Sequence, residues 1–230
     1  MRFDIITIFP EAFTSYLSTS ILKRAQERGL ISVKIHGLRK WGKGPHRQLD
    51  DRPYGGGAGM VIQAEPVLCA VSALKIKNQK SKIKIIVLSA KGKQFTQKMA
   101  YDWAKRYQRL MLISGRYEGI DERVQTALKA EEISIGPYVL TDGDVAAMTI
   151  ISAVARLIPG VIRLESLQEE SHWRSLISRE GRAAGKKGLE YPHYTRPEVL
   201  EWRGRAYRVP KVLLSGNHKY ISAWRGKHAQ

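Results

Sequence analysis

Over the first 135 positions, apolar residues gather in short runs separated by segments in which they recur every three or four residues. The runs fall at Asp4–Phe9, Ile31–Leu38, Ile83–Leu88, Leu110–Ile113 and Glu132–Ile135. Their length and β-branched content predict strands. The spacing at Thr96–Tyr107 and Ile120–Leu128 predicts helices. Strand and helix in alternation argue for an α/β fold, a mostly parallel sheet covered by helices. The pattern then changes: "GDVAAMTIISAVARLIPG" is apolar on nearly every side, is stopped by Pro159-Gly160, and has Thr141 or Asp142 in position to cap its start. Such a helix is buried in a core or in a subunit interface.

From Arg163 to about Tyr191 the chain turns polar, and "GRAAGKKG" has no apolar period, so a flexible linker is expected there. The predicted organisation is a domain over 1–162, a linker over 163–191 and a short helical unit over 192–230. In that last unit Ser215 or Asn217 is placed to cap a helix "HKYISAWR". The preceding "YPHYTRPEVLEWRGRAYRVP" contains Pro192, Pro197 and Pro210, which suit an extended surface segment, and its aromatic and basic residues suit stacking on bases and pairing with phosphates.

Charge narrows the partner. Thirty-nine Lys and Arg against 21 Asp and Glu give +18, and His172–Gln230 holds 13 against 4, half of the excess in about a quarter of the chain. A polyanion is implied, with nucleic acid ahead of an acidic membrane surface. No run approaches the roughly 18 to 20 apolar residues of a membrane span, and "MRFDIITIFPEAF" has neither a basic leader nor a small-residue cleavage site, so a cytoplasmic protein without a membrane partner is expected. Cys69, in "EPVLCAVSAL", has no second thiol and is expected to be a buried structural residue. The six histidines show no ligand spacing, so no protein-held metal is expected.

Four glycine-containing stretches carry the candidate chemistry. "DDRPYGGGAGM" (Asp50–Met60) lacks the Gly-Lys-Ser/Thr of a phosphate loop and the strand–turn–helix context of a dinucleotide fingerprint, which leaves a surface turn and a ligand loop both open. "LSAKGK", "SGRYEG" and "IGPYVLTDGD" each follow a predicted strand. Ligands collect outside the carboxyl ends of strands in open α/β sheets, so these loops form either a small-molecule pocket or three ordinary strand-to-helix turns.

Taken in order, "IFPEAF", "DDRPYGGGAGM", "SGRYEGIDERV", "EISIGPYVLTDG", "AVARLIPGV", "PHYTRP" and "VLLSGNH" resemble the bacterial tRNA (guanine-N1)-methyltransferases from Met1 to about Arg225. The resemblance implies the knotted methyltransferase (SPOUT) class, with a deep trefoil knot, and an obligate homodimer whose active sites lie at the subunit interface. It implies methylation of guanosine 37 in the anticodon stem-loop of tRNA by S-adenosylmethionine. Mg²⁺ would at most accompany the reaction without a protein site. The cofactor residues it implies are Leu88, Ser89, Ala90, Gly115, Arg116, Tyr117, Glu118, Gly119, Ser134, Ile135, Gly136, Tyr138, Leu140 and Gly143. Tyr117 and Glu118 would also meet the substrate, with Asp50, Arg52, His193 and Arg196.

Removing the N1 proton of guanine while charge grows on O6 needs a base and a cation. The resemblance assigns the cation to Arg156 and the base to Glu170 in "LQEESHW", with Glu169 or Ser171 as alternatives. Against the family pattern, Ala90 replaces a proline, and Ser114, Pro137, Asp142 and Asp144 replace the family's cysteine, aspartate, glycine and glutamate. The chain ends soon after "SAWRGKHAQ", where the family continues with further helices, so RNA grip is expected to lean on "GRAAGKKG". Two other readings are a non-catalytic RNA-binding relative, suggested by the altered base position, and a knotted methyltransferase acting on ribose or ribosomal RNA, disfavoured by "DDRPYGGG" and "PHYTRP".

Overall fold

A computed structural model describes residues 1–76, 82–171 and 190–229. The chain forms two compact units, Met1–Arg163 and Leu164–Gln230. In the first, β1 (Arg2–Thr7) leads through α1 (Thr14–Leu17) and α2 (Ser20–Glu27) to β2 (Ser32–Gly37). A small hairpin, β3 (Asp50–Asp51) and β4 (Val61–Ile62), precedes α3 (Ala64–Ile76) and β5 (Ile83–Gln94). Then follow α4 (Gln97–Arg106), β6 (Arg109–Ser114), α5 (Arg123–Leu128), β7 (Glu131–Ser134) and α6 (Asp144–Ala155). The second unit holds α7 (Leu164–Glu169), an antiparallel hairpin of β8 (Val199–Trp202) and β9 (Arg205–Arg208), α8 (Lys211–Leu214) and α9 (His218–His228).

Five strands pair in parallel in the order β2-β1-β6-β5-β7, with Phe3 opposite Val33 and Leu110, and Ile85 opposite Met111. Both faces are covered, which is why the strands read as unbroken apolar runs. Phe3, Ile5, Leu110, Leu112 and Ile86 pack on one side with Ile150, Ile151 and Val154 of α6. Ile6, Met111, Ile113 and Val87 pack on the other with Val67, Ala70 and Val71 of α3.

Each predicted strand corresponds to an observed one, with ends moved by a few residues and β5 running on to Gln94. The predicted Thr96–Tyr107 helix is α4, with Thr96 as its cap, accepting a hydrogen bond from Met99 N–H. Other expectations need correction. The helix predicted from Ile120 starts at Arg123, because Asp121 turns its carboxylate onto the Arg123 N–H at 2.9 Å. Gly143 is the N-cap of α6, and Asp142 accepts from the Asp144 N–H at 2.9 Å. The outer face of α6 is not buried within the chain: Val145 is 48% exposed. Cys69 is exposed on α3, so it is not a buried thiol. The expected linker opens with helix α7; the rest of that expectation, "GRAAGKKG" included, falls on residues 172–189, outside the described residues. The expected extended segment contains the β8–β9 hairpin, whose two-residue turn, Arg203-Gly204, has both φ angles positive (51° and 71°) as such turns require.

Asp4 and Arg109 form a buried ion pair between adjacent strands β1 and β6. Arg109 also donates to the Leu74 carbonyl at 3.1 Å, and His36 and Arg2 reach the Asp4 carboxylate at 2.6 and 2.7 Å. Burial by itself pushes the Asp4 carboxyl up, but hydrogen bonds from His36, Arg2 and Arg109, with the Arg109 charge, outweigh it and hold the group at about 2. An unfolded aspartate titrates near 3.8, so this contribution is complete above that pH and disappears as pH falls through about 2. Urea titrations at several pH values are expected to show stability dropping by about 2 kcal/mol over that window. Asp4→Asn should flatten that pH dependence, and Asp4→Ala, which strands the Arg109 charge, should cost about 3–5 kcal/mol at neutral pH.

Candidate active site

The second half of β5 and the segments that follow β6 and β7 line a cavity of about 420 Å³; "LSAKGK", expected as a loop after its strand, is instead part of β5, with a register shift against β7 between Leu88 and Lys93. That volume lies in the roughly 300–1,000 Å³ range of small-molecule sites. Leu88, Ser89 and Ala90 enter from the first segment, and Gly115, Arg116, Tyr117, Glu118 and Gly119 from the second. Ser134, Ile135, Tyr138, Leu140 and Gly143 come from the third. Of the predicted cofactor residues only Gly136 is off the lining; it is buried, and its carbonyl accepts from Ser134 Oγ at 2.8 Å.

Glycine at 143 is a steric requirement. A Cβ there would stand 3.0 Å from the Gly115 nitrogen and from Ser114 Oγ, and 3.1 Å from Leu88 Cβ. The Gly143 N–H instead donates to the Gly115 carbonyl at 2.9 Å, joining the second and third segments directly.

Off the lining, behind Gly143, lies an ordered polar cluster. Asp144, 4% exposed, accepts hydrogen bonds from Thr7 Oγ1 at 2.7 Å and from Ser114. Burial raises its pKa; those two hydrogen bonds and the Arg116 charge pull it down without cancelling the rise, and Asp142 adds to it. On the wall, Arg116 lies 3.6 Å from Asp142 and stacks on Phe9, 4.5 Å from the ring centroid. The Arg116 charge is thus held beside the cavity by one carboxylate and one aromatic face.

The glycine-rich hairpin fixes the second segment from outside. Glu118 N–H donates to the Met60 carbonyl, Ile62 N–H to Gly119, and Asp121 N–H to Ile62, each at 3.0 Å. Gly59, at φ +81°, lies so close to the Glu118 side chain that a Cβ would come within 2.5 Å of Oε1. Tyr117 sits at φ 59°, a left-handed conformation costly for a bulky residue, with its ring 48% exposed. Asp50 and Arg52 belong to this hairpin but are not on the cavity lining.

The remaining candidates are distributed over the two units. Arg156, half-buried, is the C-cap of α6. Glu169 ends α7, and Glu170, half-buried, donates its N–H to the Leu167 carbonyl at 3.3 Å. Ser171 and Glu190 exchange hydrogen bonds of 2.8 and 3.1 Å. His193 and Arg196 line a separate groove of about 400 Å³ in the second unit, where Arg225 stacks on Tyr191 at 4.7 Å. Among the described residues, no group of three or more His, Cys, Asp or Glu is arranged to hold a metal ion.

The family model described as tRNA (Guanine-1)-methyltransferase TrmD matches residues 1–230. The chain belongs to this family. A tRNA (guanine-N(1)-)-methyltransferase of Thermomicrobium roseum is 51% identical over 98% of this chain and 77% of its own length. Relatives of the same name from Chloroflexus aurantiacus and Moorella thermoacetica are 50% and 47% identical, over 98% and 100% of this chain and 82% and 85% of their own lengths.

Within this tRNA (guanine-1)-methyltransferase chain, the residues departing from the family pattern have defined places. Asp142 bonds the first turn of α6 and pairs with Arg116, while Asp144 ties β1 to β6. Sequence reasoning missed Thr7 and Phe9, which reach the site from the end of β1 across more than a hundred positions without any local pattern. Gly143→Ala is expected to cost about 1–3 kcal/mol in denaturant unfolding, because its neighbours are backbone and core atoms that cannot step aside. Gly226→Ala, in α9 with open space around it, should be neutral or slightly stabilising.

Proposed function

We propose that this chain transfers the methyl group of S-adenosylmethionine to N1 of guanosine 37 in tRNA. The observation that carries the reading is the cavity lined by β5 and the loops after β6 and β7 in a chain that matches the family model from end to end. A trefoil knot formed by these segments belongs to the same reading, with the Gly143–Gly115 contact bringing the segments after β6 and β7 together. Bound in the cavity, S-adenosylmethionine supplies an electrophilic methyl group on a sulfonium centre. Backbone edges at Leu88, Gly115 and Ile135 suit its flat and polar parts, and Glu118 and Asp142 give the lining negative charge that favours a cationic donor.

Arg156 stabilises negative charge growing on guanine O6, and Glu170 takes the N1 proton, with Glu169 and Ser171 as the alternative positions. Tyr117 borders the base, while Asp50, Arg52, His193 and Arg196 contact the RNA. Mg²⁺, where it takes part, acts at the substrate. A homodimer completes the site: on the outer side of α6 Val145 and Thr149 are exposed, Ser152 and the C-cap Arg156 are half-buried on the same face, and Tyr16, bonded to Ser152 Oγ at 2.9 Å, extends it. The domain roles follow this division, with donor binding in 1–162, tRNA binding in 192–230 and a connecting segment over 163–191. Among the described residues no helix is long and apolar enough to cross a membrane.

Incubation with S-adenosylmethionine and an unmodified tRNA transcript carrying guanosine 37 is expected to yield N1-methylguanosine, detected by mass spectrometry of nucleosides. Glu170→Gln should slow that reaction by roughly 10²- to 10⁴-fold, the usual contribution of a general base, while donor binding by calorimetry persists. Wild-type binding of tRNA without methylation at any Mg²⁺ concentration would identify an RNA-binding relative instead. An active Glu170→Gln variant would move the base to a neighbouring residue.

A further inference from the structure

Beside the cavity, and sharing Lys91 and Glu132 with it, lies a broader depression of about 790 Å³ bounded by β5, β7 and the end of α5. Its charge is unbalanced. Lys75, Lys84, Lys91, Lys93 and Lys129 face only two carboxylates, Glu131 and Glu132, on the lining. Glu131 is taken by Lys84, and Glu132 lies 3.6 Å from Lys91, which also bonds Glu122. Lys75, Lys93 and Lys129 make no ion pair among the described residues.

Three ammonium groups without a carboxylate partner repel each other around one depression; Lys75 and Lys129, at helix C-termini, recover part of that cost from the helix dipoles, but Lys93, on β5, does not. Lys129 adds a second cost. It ends α5 in the left-handed conformation, φ 50°, where glycine or asparagine is the unstrained choice and another residue costs about 1–2 kcal/mol. Further positive charge stands at the aromatic wall: Lys84 and Lys82 lie 5.4 and 5.8 Å from the Tyr107 ring centroid. A wide, shallow, lysine-lined surface suits an extended polyanion, whose phosphates are spaced along a chain, better than a single small anion.

We propose that this depression is a second RNA-docking surface, in which Lys75, Lys93 and Lys129 hold the phosphate backbone of the RNA whose base enters the neighbouring cavity. The proposal rests on the methyltransferase reading for the identity of the RNA, while the surface itself is tested by binding alone. Fluorescence anisotropy with a tRNA transcript, measured across a range of KCl concentrations, compares wild type with a Lys75→Gln/Lys93→Gln/Lys129→Gln variant. The variant should bind roughly ten-fold or more weakly near physiological salt, and its plot of log K against log salt should be shallower by about 2, since each phosphate contact contributes about 0.7–0.9 to the slope. The corresponding triple Lys→Arg variant should keep both the affinity and the slope. Methylation by the Gln variant should show a raised KM for tRNA with kcat retained, and its unfolding midpoint should be unchanged or higher, because repulsion is relieved. Unchanged affinity and slope in the Gln variant would overturn the proposal, as would an equal loss in the Arg variant. A wild type that binds tRNA without methylating it would defeat the methyltransferase reading, and the salt slopes would still decide the surface.

Discussion

The backbone of Gly143 lies against that of Gly115, joined by a 2.9 Å hydrogen bond with little room for a side chain between them, and this contact holds together the segments that follow β6 and β7. It brings the end of the long loop after β7 onto the end of β6, and it starts α6 at that point. The first turn of α6 therefore delivers Asp144 to Thr7 and Ser114, locking three elements together. The apolar face of α6 then covers the sheet. Loop geometry and core packing are in this sense one arrangement, because moving α6 to accommodate a Cβ would also disturb Ile150, Ile151 and Val154.

Strand β1 carries a functional contrast within four residues. Asp4 meets two arginines and the His36 ring and is held strongly ionised. At the end of the strand Thr7 donates a neutral hydroxyl to Asp144, whose burial pushes its carboxyl toward the protonated form. Both carboxylates are buried in the same unit, and the neighbouring donors decide the difference. The first is a structural rivet between strands β1 and β6, and the second ties the start of α6 to the same two strands.

Positive charge is divided between the two units. The C-terminal unit exposes Trp202 and Tyr207 beside arginines on its hairpin, a surface suited to bases and phosphates. The N-terminal unit adds the lysine-lined depression next to the cavity, and the two share Lys91 and Glu132 as a common wall. A long, folded polyanion can be held at several points in this way, each weak and salt-sensitive, while one base is placed accurately.

By itself the sequence determined the alternating α/β pattern, the parallel sheet and the loops after β6 and β7, because burial on both sheet faces writes unbroken apolar runs into the chain; "LSAKGK", expected as a loop, proved to be strand. Its ordered motifs also carried the family, and glycines at 115 and 143 marked two of the loops. It left the "DDRPYGGGAGM" stretch undecided, since a glycine-rich turn looks the same whether it meets a ligand or another loop; only the fold showed Gly59 against Glu118. The exposure of Cys69, the Thr7–Asp144 bond and the lysine cluster were likewise settled by tertiary structure. Each depends on groups brought together from distant positions, such as Lys75 with Lys129, and local periodicity carries no information about which distant groups become neighbours.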